Sequence, residues 1–363
     1  MPHFSLLAHR RATRMSQTLD CFSPPSEPTR PLPARIGTVD CRWHLGATAD
    51  CLTDWTRGTS DQSPPYFVWF DDLSEVPHIA DSLGRGLALL ESDPNLAAVW
   101  IVSAQDPWSQ LLFPHLTPAW AGLCLGPENP AVVLFRRSTE ETSERASPPA
   151  RSAWGLTAPL ISRKLPVAAA CANTLAWDQL PVDRLPSLTP AQWPQSHAWR
   201  RDWLQTHLPP LARRETSDPC DQTALQAAVW QCQGELDLSH RQSQQHEGEG
   251  KHQMCDYWHA IMHRREPDYG NSKYWFRQLG RHPVFTPLAT RADTLLAAAA
   301  PAEVAWRRRL LRSGTWDPFA MVDLTEAAAE DHTLEPLARR LQALELITVW
   351  EQLLRQVLGA GSG

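Results

Sequence analysis

"YFVWFDDLSEVPHIADSLGRGLALLESDPNLAAVWIV" runs from Tyr66 to Val102 and changes its hydrophobic period twice. "YFVWF" (66–70) is a short apolar run of aromatic and β-branched residues, the pattern of a buried strand. Ile79, Leu83, Leu87 and Leu90 then recur at helical spacing, which puts them on one face of a helix. "AAVWIV" (97–102) is strand-like again. Strand, helix, strand in this order predicts an α/β layer. "AVVLF" (131–135) and "PVAAA" (166–170) are two further candidate strands of the same layer.

Outward from this core the pattern breaks in three places. Residues 1–35 include "SPPSEPTRPLPAR", too rich in Pro and too poor in apolar residues to pack, and are expected to be a disordered leader with folded structure starting near Ile36. "STEETSERASPPARS" (138–152) reads as a polar loop, and the Pro-rich "DQLPVDRLPSLTPAQWPQ" (178–195) as a linker. Beyond 195 the period becomes helical: "TALQAAVWQCQGEL" (223–236), a helix around 256–265, another over 272–279, and a long one built on Leu337, Leu341, Leu344, Trp350, Leu354 and Val357. The expected organisation is a leader (1–35), an α/β domain (36–178), a linker (179–195) and an all-helical domain (196–363), each domain with its own core.

Composition narrows the function classes. A net charge of −6 and a pI near 6.2 give no global basic field, so nucleic-acid binding is not expected. The eight cysteines form no CxxC pair and read as reduced, mostly buried thiols. No run approaches the roughly 18 apolar residues of a membrane span and the N-terminus lacks the apolar region of a signal peptide, so a cytoplasmic protein with no membrane span is expected.

In the first half, His44, Leu45 and Gly46 stand at a turn, "FDDL" (70–73) ends a strand, and "LLESDP" (89–94) closes a helix. With "NPAVVLFRRS" and "WGLTAPLISRKLPVAAACANTLA" further on, residues 36–178 resemble part of a family 2 glycosyltransferase of the GT-A fold. The resemblance implies a Rossmann-like sheet and an acidic D-x-D that holds a divalent metal against a nucleotide-sugar diphosphate. Asp71 fills the first acidic place and Asp72 the middle one, but Leu73 stands where the second carboxylate belongs. Arg151, Ser152 and Ala153 precede Trp154 where the family has its acidic acceptor-side base. The expectation is therefore a retained, inactive transferase-like fold. The alternative is an active transferase with Asp71 and Asp72 on the metal.

In the second half, "WHAIMHRREPD" (258–268), "NSKYWFR" (271–277) and "GRHPVF" (280–285) crowd charge and aromatic rings together. These three motifs, with "DLSH" ending at His240 and "WDPFAMVDL" (316–324), resemble a family of helical bacterial and fungal proteins; the likeness brings no activity with it. The residues themselves say more. His259, Met262, His263 and Glu266 fall on one helical stripe, ended by Pro267. Two imidazoles one turn apart with a carboxylate beside them can converge on a divalent metal, with His240 or Asp268 completing the set.

Ala260 follows His259 where a zinc protease of the H-E-x-x-H type needs its Glu, which excludes peptidase chemistry of that kind. Arg264 and Arg265 adjoin the cluster and would favour an anion. Lys273, Tyr274 and Arg277 offer a cationic, aromatic face on the next helix, which Asn271 is expected to cap, and His282 before Pro283 is placed to turn back toward it. The expected function is a helical domain whose His/Arg/Glu pocket binds a small anionic or metal-associated ligand. If the pocket is catalytic, His259 or His263 acts as general base, or both hold the metal, with Glu266 beside them. The alternative is a non-catalytic interaction module in which Arg264, Arg265 and Arg277 only pair with Glu266, Asp268 and other acids.

Overall fold

A computed structural model describes residues 18–23, 31–46, 65–103, 105–126, 129, 131–137, 152–171, 181–191, 198–297 and 301–359. Most of the expected leader and the 138–151 loop lie outside these residues. Thr18–Phe22, inside the expected leader, is a strand (β1) at the heart of the sheet. Folded structure therefore begins well before Ile36. The segment was misread because "TLDCF" carries an acid, Asp20, in its middle; that acid is buried and lies 2.9 Å from His44 Nε2 and 3.6 Å from Arg42.

Six more strands follow: β2 (Arg35–Ile36), β3 (Val39–His44), β4 (Tyr66–Phe70), β5 (Ala98–Val102), β6 (Val132–Arg136) and β7 (Val167–Cys171). They form one seven-stranded mixed sheet in the order β2-β3-β1-β4-β6-β5-β7. β1 runs parallel to both β3 and β4, β6 is antiparallel to β4 and β5, and β7 is parallel to β5. Side chains alternate between faces as the period of a strand demands. Val68, Phe70, Val99, Ile101 and Leu134 meet helix α1 (Ala80–Ser92) through Leu83, Leu87 and Leu90. Phe67, Trp69, Trp100, Val133 and Phe135 point the other way.

That second face is covered by α2 (Pro107–His115), α3 (Pro118–Cys124) and α4 (Ala153–Ser162), and then by the helical half. The latter comprises α5 (Ala198–Glu215), α6 (Pro219–Cys232), α7 (Leu236–Ser243), α8 (Met254–Arg265), α9 (Tyr269–Leu279), α10 (Phe285–Leu295), α11 (Pro301–Leu310), α12 (Pro318–Glu330) and α13 (Glu335–Leu358). An α/β half followed by an all-α half matches the sequence reading. Starts are set by Asp-Pro pairs: Asp106, Asp218 and Asp317 each accept backbone N–H groups of the first turn, with Pro at the position where no N–H is needed.

Beside the core on the α1 face of the sheet, a second core is shared between the halves. That apolar core runs from Trp69 and Trp100 through Trp120 to Trp258 and Trp350. Gln233 after α6 donates to the carbonyls of Leu123 and Leu125, at 2.5 and 3.0 Å. The described part of the expected linker, 181–191, is docked: Leu185 is buried, Arg339 of α13 donates to its carbonyl, and Gln342 donates to that of Ser187 at 3.0 Å. Among the described residues no helix is long and apolar enough to cross a membrane.

Candidate functional site

Helix α8 is buried at every position from Met254 to Arg265, so its polar residues must find partners inside the protein. Arg264 ion-pairs with Glu345 of α13 at 2.5 Å, and Glu345 also accepts from the Tyr257 hydroxyl at 3.1 Å. Arg265 donates to the carbonyl and side-chain oxygens of Gln231 in α6, at 2.5 and 3.0 Å. Arg264 is an internal strut, while Arg265 is tied to Gln231 and also borders a cleft.

His259 and His263 leave α8 one turn apart on the side that α7 and α9 cover. Ser239 donates to the Ala227 carbonyl at 3.1 Å and fixes α7 against α6, which turns His240 toward them. Ser272 donates to the Ala260 carbonyl at 2.8 Å and fixes α9, so that Trp275, one turn on, lies flat on His259. The His259 and Trp275 ring centroids are 4.0 Å apart with 25° between planes. His263 stacks on His259 at 4.8 Å, and His240 stands 4.8 Å from His259 and 5.1 Å from His263.

One donor atom from each of His240, His259 and His263 lies within 4.8 Å of the other two. Zinc–nitrogen bonds of about 2.0–2.1 Å need donors about 3.4 Å apart in a tetrahedron, so closing on a metal needs side-chain shifts of about 1 Å. Both ring nitrogens of His259 are buried with no hydrogen-bond partner among the described residues. An orphaned pair of this kind is costly, and a metal would satisfy one of them. Burial, and then His263 and His240, push the His259 ring down to about 3. Burial and His240 lower His263 too, against the opposite pull of Glu266 and Asp268. His259 and His263 are thus neutral near pH 7, with lone pairs available to a cation. Glu266 Oε2 stands 3.4 Å from His263 Nδ1, beside the ring rather than among the imidazole donors, where a carboxylate raises ligand basicity.

The other expected site residues go elsewhere. Asp268, not Asn271, caps α9, accepting the Asn271 backbone N–H at 3.1 Å and its side-chain amide at 2.6 Å. Lys273 reaches Asp323 at 2.7 Å and Glu326 at 3.7 Å on α12. Tyr274 and Arg277 are exposed. His282 accepts the Val284 N–H on Nδ1 at 3.2 Å and donates from Nε2 to the His252 carbonyl at 2.9 Å, a satisfied core ring. Trp275 is the residue the sequence did not assign to the site.

A cleft of about 610 Å³ lies beside Glu266, lined by Arg201, Glu235, Asp237, Arg241, Arg265 and Glu266, with none of the three histidines in its wall. Glu266 links the two, standing in the cleft wall and 3.4 Å from His263 Nδ1.

The acidic pair at the end of β4 is committed to the fold. Asp71 accepts from the backbone of Ala153 at 2.5 Å and Ala131 at 3.2 Å and from the Trp69 indole at 3.0 Å. Burial raises its carboxyl to about 6 against those bonds and the nearby Arg200. Asp72 caps the short 3-10 turn Leu73–His78 through Ser74.

Comparison of the chain with family models, curated proteins and solved structures returns no match.

Proposed function

We propose that the helical half is a metal-binding module in which His240, His259 and His263 hold one divalent transition metal, and that a small anionic ligand reaches it from the adjoining cleft. The observation that carries this reading is the buried His259 ring with both nitrogens unpartnered, set within reach of two further imidazoles. Three imidazole nitrogen donors suit zinc and its neighbours and leave a coordination position for water or ligand, which the metal would activate as a Lewis acid.

His240 is half-buried and stands on the more open side of the set. Trp275 closes the far face of His259 and excludes water there. Glu266, between the triad and the cleft, is placed to orient His263 and to take or give a proton at the cleft edge. On this reading the α/β half is a scaffold, because Asp71 spends its carboxylate on two backbone N–H groups and an indole.

The test is elemental analysis of the full chain beside His240→Ala and His259→Ala/His263→Ala, each shown to be folded by circular dichroism. Each variant should lose about one equivalent of bound metal relative to the parent. Equal metal content in parent and variants would overturn the reading.

A further inference from the structure

A second cluster of metal-ligating side chains, sharing no residue with the first, is built from segments on either side of α7 in the chain. Cys220 sits in the first turn of α6, His246 in the short 3-10 turn that follows α7, and Glu249 in the loop before α8. One donor atom from each lies within 4.8 Å of the other two, and His246 Nδ1 is 2.8 Å from Glu249 Oε2.

The loop is shaped to close on the thiol. Gly248, Gly250, His252 and Gln253 all have positive φ, at 69°, 78°, 61° and 49°. For His252 and Gln253 that conformation is uncommon and costs energy, so the surrounding contacts must hold it. They do: Asp256 accepts the Gly248 N–H at 3.0 Å, His282 donates to the His252 carbonyl at 2.9 Å, and Gln356 donates to that of Lys251 at 3.0 Å. At Gly250 a Cβ would stand 2.6 Å from the Cys220 Cβ, so only glycine lets the loop pass this close.

We propose that Cys220, His246 and Glu249 form a second metal site, for a thiophilic divalent cation of the zinc class. The donors are mixed sulfur, nitrogen and oxygen, a set that zinc accepts in tetrahedral geometry with water as the fourth ligand. Charge balances, since a thiolate and a carboxylate carry two negative charges against two positive ones. Binding replaces the S–H bond of Cys220 with a metal–sulfur bond and releases that proton to solvent. Asp218 and Asp221 lie near the thiol and add to the negative field that attracts a cation. The site would strap the loop to the start of α6, a structural role separate from the three-histidine centre and independent of it.

The experiment uses the full reduced chain, stripped with a chelator and titrated with Co²⁺. A thiolate-to-cobalt charge-transfer band should appear in the near ultraviolet, persist in His259→Ala/His263→Ala, and vanish in Cys220→Ser. Glu249→Gln, at an exposed position where folding is not at risk, should weaken the band's Co²⁺ affinity by at least about tenfold. No such band in the parent, or a band that survives Cys220→Ser, would overturn the second site. Equal total metal in the parent and in His259→Ala/His263→Ala, with the thiolate band intact, would instead overturn the three-histidine reading alone.

Discussion

Arg264 and Glu345 meet at 2.5 Å with both side chains fully buried, joining α8 to α13 in the middle of the helical half. The Tyr257 hydroxyl donates to the same carboxylate, so the charge is shared among three groups with no solvent. Removing one partner leaves the other charge buried and unpaired. Arg264→Met should therefore cost about 3–5 kcal/mol, whereas Arg264→Met with Glu345→Leu should recover most of that loss. Chemical denaturation of the two variants checks this; a double variant no more stable than the single would show that the pair contributes net stability.

Trp275 should control the titration of His259. The indole lies 4.0 Å from the imidazole and keeps water from it, and burial is the main cause that holds the ring down to about 3. Trp275→Ala admits water, which lowers the penalty on the charged ring, so the His259 pKa should rise toward its ordinary value. At pH 5 the variant would then carry more protonated His259 and bind metal more weakly than the parent. Proton NMR of the imidazole resonances against pH reads the first effect and metal titration at two pH values the second. An unmoved His259 titration would mean that the neighbouring rings, not the indole, set its pKa.

His282 gives the pH dependence of folding a definite sign. Burial pushes its ring down to about 4, although its hydrogen bond to the His252 carbonyl works the other way. As pH falls below about 6.5 the unfolded chain takes up a proton at this ring while the folded chain does not until about pH 4. Folded stability is thus full above 6.5 and is lost through that window. Asp71, Asp106 and Asp256, each raised to about 6, act in the opposite sense and His259 in the same one, so the parent curve alone is a sum of several groups. The difference between parent and His282→Gln isolates the ring: the parent's advantage should shrink steadily from pH 6.5 to 4. A difference that stays constant with pH would refute this.

What the sequence disclosed follows from which interactions are local. Strands β4 and β5 and helix α1 were readable because "YFVWF", "AAVWIV" and the Ile79–Leu90 series each carry their own period. His259 and His263 were readable as a pair because one helix fixes their spacing, and His240 could be placed beside them only as one of two candidates. Partners from distant segments were not readable. The partners of Arg264 and Arg265 could not be named because Glu345 and Gln231 lie far away in the chain, and their approach depends on how α8 packs among its neighbours. Trp275 reads as core by its spacing with Phe276 and Leu279; that it covers an imidazole depends on the Ser272 bond to Ala260. Cys220 meets His246 and Glu249 across more than twenty intervening residues, and their approach depends on the turn at Gly248 and the close passage of Gly250 over Cys220.

The shared core predicts how the chain unfolds. Trp120 of the α/β half stands 5.9 Å from Trp350 of α13, and Trp350 in turn packs on Trp258 of α8 at 6.0 Å. Trp350 also donates to the Cys232 sulfur at 3.3 Å, next to the Gln233 amide that bonds the α3 carbonyls. Separating the halves would expose these rings and orphan those carbonyls together, so neither half can open while the other keeps its packing. The full chain should therefore melt in one cooperative transition, with calorimetric and van't Hoff enthalpies equal. A fragment of residues 196–363 should expose the apolar face that α2 and α3 cover and self-associate on purification. Two resolved transitions in calorimetry, or a monomeric fragment with native near-ultraviolet dichroism, would show that the helical half holds together without the sheet.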